Sequence, residues 1–179
     1  MGWDGMRLFL LDLEFNKQLL FIISAISAHL RERERERERE MVAGTLEVTL
    51  VEARSLKNMD FIVKMNPYVV IQYGNQKHTS TIAKGQGTKP VWNEKFKFDA
   101  EYPDGEGHKY MLLFRIMDTQ KLLDHDVFVG ESKMYVKDVI ASGIEKGKAE
   151  LGVAKYRVVL QDKTYAGEIS VALAFTLNS

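Results

Sequence analysis

Oxygen-bearing side chains are concentrated in two segments that lie between strand-like stretches. The first segment, residues 56–68, carries Asp60 and Asn66, and the second is residues 116–130. The candidates in the second segment are Asp118, Gln120, Asp124 and Asp126. Calcium takes about six to eight oxygen ligands, so two converging loops of this kind could hold it. Acidic loops are also ordinary solvated loops, so spacing alone leaves both interpretations open.

The same two segments carry apolar side chains beside lysines. These tip residues are Phe61, Ile62, Val63, Lys64, Lys121, Leu122 and Leu123. Apolar tips flanked by cations suit shallow insertion among anionic headgroups, where each lysine contributes about 1 kcal/mol. The alternative is that these side chains fold back onto the rim of the domain. A second basic set, which suits either a phosphoinositide groove or a solvated strand, comprises Lys77, Lys84, Lys89, Lys95 and Lys97.

No catalytic motif is found. Gly85-x-Gly87 lacks the third glycine of a dinucleotide-binding loop, and there is no Gly-x-Ser-x-Gly elbow. The four histidines are scattered, and the chain has no cysteine that could serve as nucleophile, disulfide partner or zinc ligand. We therefore predict a binding module that is not an enzyme.

Apolar and polar residues alternate with period two from Met41 onward, which is typical of antiparallel strands. Eight segments show strand character: residues 46–51, 68–73, 78–82, 96–98, 110–117, 128–136, 156–160 and 167–177. Only residues 137–141 look helical. Eight short strands without alternating helices predict an all-β fold, an eight-stranded antiparallel β-sandwich.

Residues 1–40 differ from the rest of the chain. The apolar run at residues 19–30 is too short to span a bilayer, which takes about 20 residues, and residues 31–40 are a strict Arg-Glu repeat. An alternating purine repeat encodes Arg-Glu, and a new start could follow at Met41. We predict that residues 1–40 are a disordered leader or translated upstream sequence and that residues 41–179 form the domain. A targeting segment and a charged helical spacer are the alternatives.

Composition limits the partners. Lys plus Arg and Asp plus Glu both total 25, so the net charge is zero and any electrostatic attraction is local. The absence of cysteine favours a reducing, cytoplasmic setting. Zero net charge and the lack of aromatic-basic clusters argue against RNA as a partner.

Three motifs in order resemble the C2-domain family of calcium- and phospholipid-binding modules. They are Asn-Pro-Tyr-Val-Val at residues 66–70, Lys-Pro-Val-Trp-Asn-Glu-Lys-Phe at residues 89–96, and residues 117–130, which begin Met-Asp and end Phe-Val-Gly. The resemblance covers residues 41–179 and is strongest to small single-domain plant proteins of the elicitor-responsive and small phloem-protein type. Because one strand precedes the first loop and a long strand closes the chain, we predict the type II topology of that family.

The resemblance also assigns calcium-loop roles. Asp60 and Asp118 match family aspartates, Asp126 matches the last one, and Asp124 competes with it because the later loop is one residue longer. Asn66 and Gln120 stand where the family usually has aspartate, which keeps an oxygen but removes a charge. Fewer anionic ligands weaken calcium binding, so we expect weak affinity or none. Trp92 is expected to be a core aromatic residue.

These observations predict a monomeric, cytoplasmic module that is recruited peripherally to anionic phospholipid membranes. By resemblance, weak calcium binding assists it, and its setting is stress or defence signalling. The alternative is a calcium-independent protein-interaction scaffold whose calcium loops have decayed, with Asn66 and Gln120 as the evidence. RNA association in the phloem is implied by resemblance alone, against the charge argument.

Overall fold

The computed structural model describes residues 3–40, 42–58, 64–102, 110–119 and 125–178. The chain divides into two compact units, Met1–Met41 and Val42–Ser179. In the first unit, helix α1 runs from Trp3 to Glu40 and includes the Arg-Glu repeat. Of the helices in the described residues, none combines the length and apolar character that crossing a membrane requires. The interpretation of residues 1–40 as a disordered leader or translated upstream sequence stays a prediction.

The second unit consists of antiparallel strands and one helix. The strands are β1 Val42–Arg54, β2 Pro67–Tyr73, β3 Gln76–Thr79, β4 Val91–Tyr102, β5 Met111–Asp118, β6 Val127–Tyr135, β7 Lys148–Val159 and β8 Tyr165–Leu177. Helix α2, Lys137–Lys146, connects β6 to β7. The hydrogen-bonded order is β3-β2-β5-β6-β7-β8-β1-β4. The prediction of an eight-stranded antiparallel all-β fold is confirmed, and the two-sheet and type II assignments stay predictions.

The alternating pattern places one face of each central strand in the core. Ile169, Val171, Leu173 and Phe175 of β8 are buried, as the alternation predicts. Trp92 is also buried, as expected of a core aromatic residue, and its ring N–H donates to the Thr81 carbonyl at 3.1 Å. Full burial of a Val, Leu, Ile or Phe side chain stabilises the folded state by about 1.5–3 kcal/mol, so the buried face of β8 supplies part of the driving force for folding.

Strands β1, β4 and β7 and helix α2 are longer than the sequence pattern indicates, and β3 ends at Thr79, short of the predicted residue 82. Strand β7 spans Lys148–Val159, whereas the sequence pattern indicates only residues 156–160. Most of its side chains are exposed and do not alternate, and backbone pairing with β8 holds the strand. Helix α2 continues past residue 141 to Lys146 and ends at Gly147. The left-handed conformation of Gly147, with φ of 79°, stops the helix there.

Strands β3 and β4, at opposite ends of the hydrogen-bonded order, contact each other through side chains. The Gln76 amide donates to the Asp99 carbonyl at 2.7 Å and accepts from the Asp99 N–H at 2.9 Å. The His78 ring nitrogen Nε2 lies 3.0 Å from the Lys97 carbonyl oxygen, where its N–H can donate. These bonds occupy main-chain groups that an edge strand would otherwise expose, and edges left open invite association with other chains.

Candidate functional site

Four connecting segments lie at one end of the domain, and three of them carry the predicted site residues; the fourth is the β7–β8 turn, residues 160–164. Pro67, at the start of β2, pairs with Asp118, at the end of β5, so the first loop (residues 55–66) and the later loop (residues 119–126) leave the sheet side by side. The middle loop (residues 80–90) joins them, because the Ala83 N–H donates to the Pro67 carbonyl at 2.9 Å. We call these three segments the loop end.

Asn66 contacts both neighbouring loops. Its side-chain oxygen accepts the Gly85 N–H of the middle loop at 2.8 Å. Its side-chain nitrogen donates to the Thr119 carbonyl of the later loop at 3.3 Å, and the Thr119 N–H donates to the Asn66 carbonyl at 3.2 Å. The side chain therefore links all three segments of the loop end.

The two described candidate carboxylates also accept hydrogen bonds from the protein. Asp118 is 3% exposed, and its Oδ1 accepts the Asn66 main-chain N–H at 2.6 Å. Asp126 Oδ2 accepts the Tyr68 hydroxyl at 2.6 Å. This hydrogen bond, and secondarily burial, raises the pKa of Tyr68 to about 12. The phenol thus ties the later loop to strand β2.

The described residues include only part of the predicted calcium ligand set, namely Asn66, Asp118 and Asp126. Within the described residues, no three acidic or histidine side chains are grouped as metal ligands. Every buried side-chain polar atom of the described residues has a hydrogen-bond partner. Asp60, Gln120 and Asp124 lie outside the described residues, and the ligand set predicted from the sequence stays a prediction.

The predicted apolar tips belong to the same loops. Phe61, Ile62, Val63, Lys121, Leu122 and Leu123 lie outside the described residues, so their membrane role stays a prediction. Lys64 is described and exposed, next to the buried Met65.

The predicted basic set divides into two groups. Lys84 and Lys89 lie on the middle loop and are exposed, and the Gly87 N–H of that loop donates to the Met65 carbonyl at 3.1 Å, beside Lys64. Lys64, Lys84 and Lys89 form no ion pair with any described residue, and we call them the loop-end lysines. The other three lysines are on strands: Lys77 on β3, and Lys95 and Lys97 on β4. Of these, Lys95 is bound to Glu47 at 2.7 Å.

Two contacts at this end are not predicted by the sequence. The motif at residues 66–70 contains Tyr68 but does not indicate Asp126 as its partner, and the Gly85-x-Gly87 pattern does not indicate a partner for Gly85. Gly85 has a φ of 67°, a left-handed backbone conformation that glycine adopts readily because it has no Cβ. Neither partner could be assigned without knowing which loops meet.

Comparisons with known proteins agree with this architecture. The model of the C2 domain family matches residues 44–151. The chain is 41% identical over 138 residues to 16 kDa phloem protein 1 of Arabidopsis thaliana, covering 76% of this chain and 87% of that one. It is 44% identical over 140 residues to elicitor-responsive protein 1 of Oryza sativa subsp. japonica, with coverage of 76% and 87%.

Solved structures show the same fold. A C2 domain-containing protein from a putative elicitor-responsive gene superposes with a TM-score of 0.60 at 34% identity, over 77% of this chain and 92% of that one. A C2 domain of plant extended synaptotagmin 1 superposes with a TM-score of 0.57 at 18% identity, over 76% and 96%. The family match, the relatives and the eight-stranded fold together show that this chain belongs to the C2 domain family.

Proposed function

We propose that residues 42–179 form a non-enzymatic, peripheral binding module for anionic phospholipid membranes, with the loop end facing the membrane. The observation that carries this proposal is the placement of the loop-end lysines. Lys64, Lys84 and Lys89 are exposed on two loops that are hydrogen-bonded to each other. A chain without net charge thus carries a local group of exposed cations, beside the acidic side chains Asp118 and Asp126.

The attraction between this surface and an anionic membrane is electrostatic. Each lysine near such a surface contributes about 1 kcal/mol. The loop-end lysines form no ion pair with a described acidic side chain, whereas Lys95 on β4 is paired with Glu47. We therefore expect each loop-end lysine to contribute more to binding than Lys95 does.

The apolar tips are proposed to add shallow insertion. Phe61, Ile62, Leu122 and Leu123 belong to the first and later loops, which leave the sheet side by side. Burial of apolar area does not depend on charge, while attraction between charges weakens beyond a Debye length of about 8 Å at physiological ionic strength. Salt therefore separates the two contributions.

Calcium is proposed to strengthen this binding weakly or not at all. Asn66 and Gln120 replace charged ligands with amides, and the described oxygens of Asn66, Asp118 and Asp126 already accept hydrogen bonds from the protein. By similarity to elicitor-responsive proteins, the proposed setting is stress or defence signalling in the cytoplasm.

The test is co-sedimentation of the full chain with vesicles of phosphatidylcholine alone or mixed with phosphatidylserine, with calcium or with a chelator, over a series of salt concentrations. Replacing Lys64, Lys84 and Lys89 together by alanine should weaken binding to the anionic vesicles by roughly 100-fold at low salt. The matched control replaces Lys137, Lys146 and Lys148, near helix α2, and removes the same charge. It should bind like the wild type.

Two further variants separate the contacts. Phe61→Ala with Leu122→Ala should lower binding at every salt concentration. With phosphoinositide-containing vesicles added to the series, Lys95→Ala with Lys97→Ala should lower binding mainly at low salt and on those vesicles. Equal binding by the wild type and all these variants would reject the membrane proposal and favour the protein-interaction scaffold.

A further inference from the structure

The Asn66 side chain bonds to both other segments of the loop end, the middle loop through Gly85 and the later loop through Thr119. An amide can do this because it carries an acceptor oxygen and a donor nitrogen. An ionised aspartate carries only acceptors. The amide therefore has a use here that the carboxylate usual in the family would not provide.

The acceptor side of Asn66 holds the middle loop. Its Oδ1 receives the Gly85 N–H at 2.8 Å, at a residue whose φ of 67° is in the left-handed region. The neighbouring Gly87 also has a positive φ, and its N–H donates to the Met65 carbonyl at 3.1 Å. Two adjacent residues of the first loop thus accept two N–H groups of a glycine-rich turn.

The donor side of Asn66 holds the later loop. Its Nδ2 points to the Thr119 carbonyl at 3.3 Å, one residue beyond the pairing of Pro67 with Asp118. The main-chain N–H of Asn66 donates to the buried carboxylate of Asp118 at 2.6 Å. A carboxylate at position 66 would place negative charge against the Thr119 carbonyl oxygen, where the amide now donates.

We infer that Asn66 is a metal-independent clasp, which holds the three loops together by its own hydrogen bonds where a cation would otherwise have to join them. Asn66 Oδ1 and Asp118 Oδ1 each already accept one N–H group from another segment, so these contacts between the loops do not require a cation. This role of Asn66 is independent of what the loop end binds. If Asn66 were a weakened calcium ligand, Asn66→Asp would strengthen calcium binding. The clasp instead predicts that Asn66→Asp lowers the stability of the domain.

Nuclear magnetic resonance of the full chain tests the clasp at Gly85. In wild-type protein with a chelator, the Gly85 amide should be protected from hydrogen exchange, and calcium should leave that protection unchanged. Asn66→Ala should raise Gly85 exchange by on the order of 10-fold and lower Tm by about 3–8 °C. Asn66→Asp should keep the Gly85 bond but lower Tm by a similar amount, because the donor to Thr119 is lost.

Asn75→Asp is the matched control, because it adds the same charge in the exposed turn between β2 and β3. It should leave both Tm and Gly85 exchange at wild-type values. A Gly85 amide that is protected only when calcium is present would overturn the clasp. So would an Asn66→Asp protein that keeps the wild-type Tm and binds calcium more tightly in calorimetry. If Asn66→Ala fails to fold, the wild-type measurement with chelator still decides.

Discussion

At the scale of single residues, the loop end is organised by short polar contacts between loops. Asn66, Asp118 and Asp126 each accept a hydrogen bond from another segment of the described chain. A hydrogen bond to a charged group contributes about 1.5–3 kcal/mol, and leaving a buried partner unpaired costs a similar amount. These residues therefore hold the loops in place whether or not the loop end binds a cation.

Tyr68 provides a pH-dependent prediction at this scale. Its hydrogen bond to Asp126 raises the phenol pKa from 10.0 to about 12, so the folded protein holds this proton more tightly than the unfolded chain does. The resulting stability is fully present below pH 10 and is lost as pH rises from 10 towards 12. Tyr68→Phe should lack this alkaline loss of stability.

Phenolate absorbance during an alkaline titration measures the effect. The wild type should show a late-titrating tyrosine that is absent from Tyr68→Phe and still present in Tyr135→Phe, which removes a side chain that is 79% exposed. If Tyr68→Phe and the wild type have the same late titration step, the contact with Asp126 does not exist in solution.

At the scale of elements, the ring of Phe175 on β8 joins β1 and helix α2. The ring is fully buried and lies against two glycines, Gly44 of β1 and Gly143 of α2. A side chain at either glycine would overlap the ring, so the close approach of the three elements depends on glycine at both positions. Where β1, β8 and α2 meet, the packing leaves no room for a side chain at Gly44 or Gly143.

Gly44→Ala should destabilise the domain. The added methyl group would overlap the Phe175 ring and lie 2.6 Å from the Thr176 carbonyl oxygen, which belongs to the paired backbone and cannot move aside freely. Overpacking of this kind costs about 1–3 kcal/mol in the free energy of unfolding, measurable by urea denaturation. Gly152→Ala on β7 is the control, because no atom lies within 4 Å of the added methyl group. Equal stability of the two variants would contradict this packing.

At the scale of the whole molecule, the core belongs to the second unit. Every buried apolar residue among those described, from Leu46 to Phe175, lies in Val42–Ser179. In the first unit, the apolar side chains of α1 that are described are exposed, including Leu20 and Phe21 at 66% and 75%. The apolar burial that drives folding is therefore a property of the second unit.

We expect a protein of residues 41–179 to unfold in one cooperative transition, with a Tm within about 2 °C of the full chain. The reason is that removal of residues 1–40 deletes none of the described core. Differential scanning calorimetry of both proteins measures the Tm and the width of the unfolding transition. A broadened transition, or a Tm several degrees lower for the shorter protein, would show that residues 1–40 contribute to the stability of the domain.

Much of the fold follows from local patterns in the chain. Alternation in β8 predicts a strand because a period of two directs Ile169, Val171 and Leu173 to one face, and burial of that face stabilises it. The same signal is absent from residues 148–155, whose side chains are mostly exposed, so the full length of β7 could not be predicted. The family motifs, being contiguous, were also readable from the sequence.

The contacts of the loop end could not be predicted in this way. Asn66 meets Gly85 and Thr119, which are 19 and 53 residues away, and Tyr68 meets Asp126, which is 58 residues away. Periodicity is a property of one segment, whereas these meetings depend on which strands are neighbours and on how the chain between them turns. Residue types alone therefore led to the prediction of a cation site, which stays a prediction, and the packing of β2 beside β5 gave Asn66 its hydrogen-bond partners.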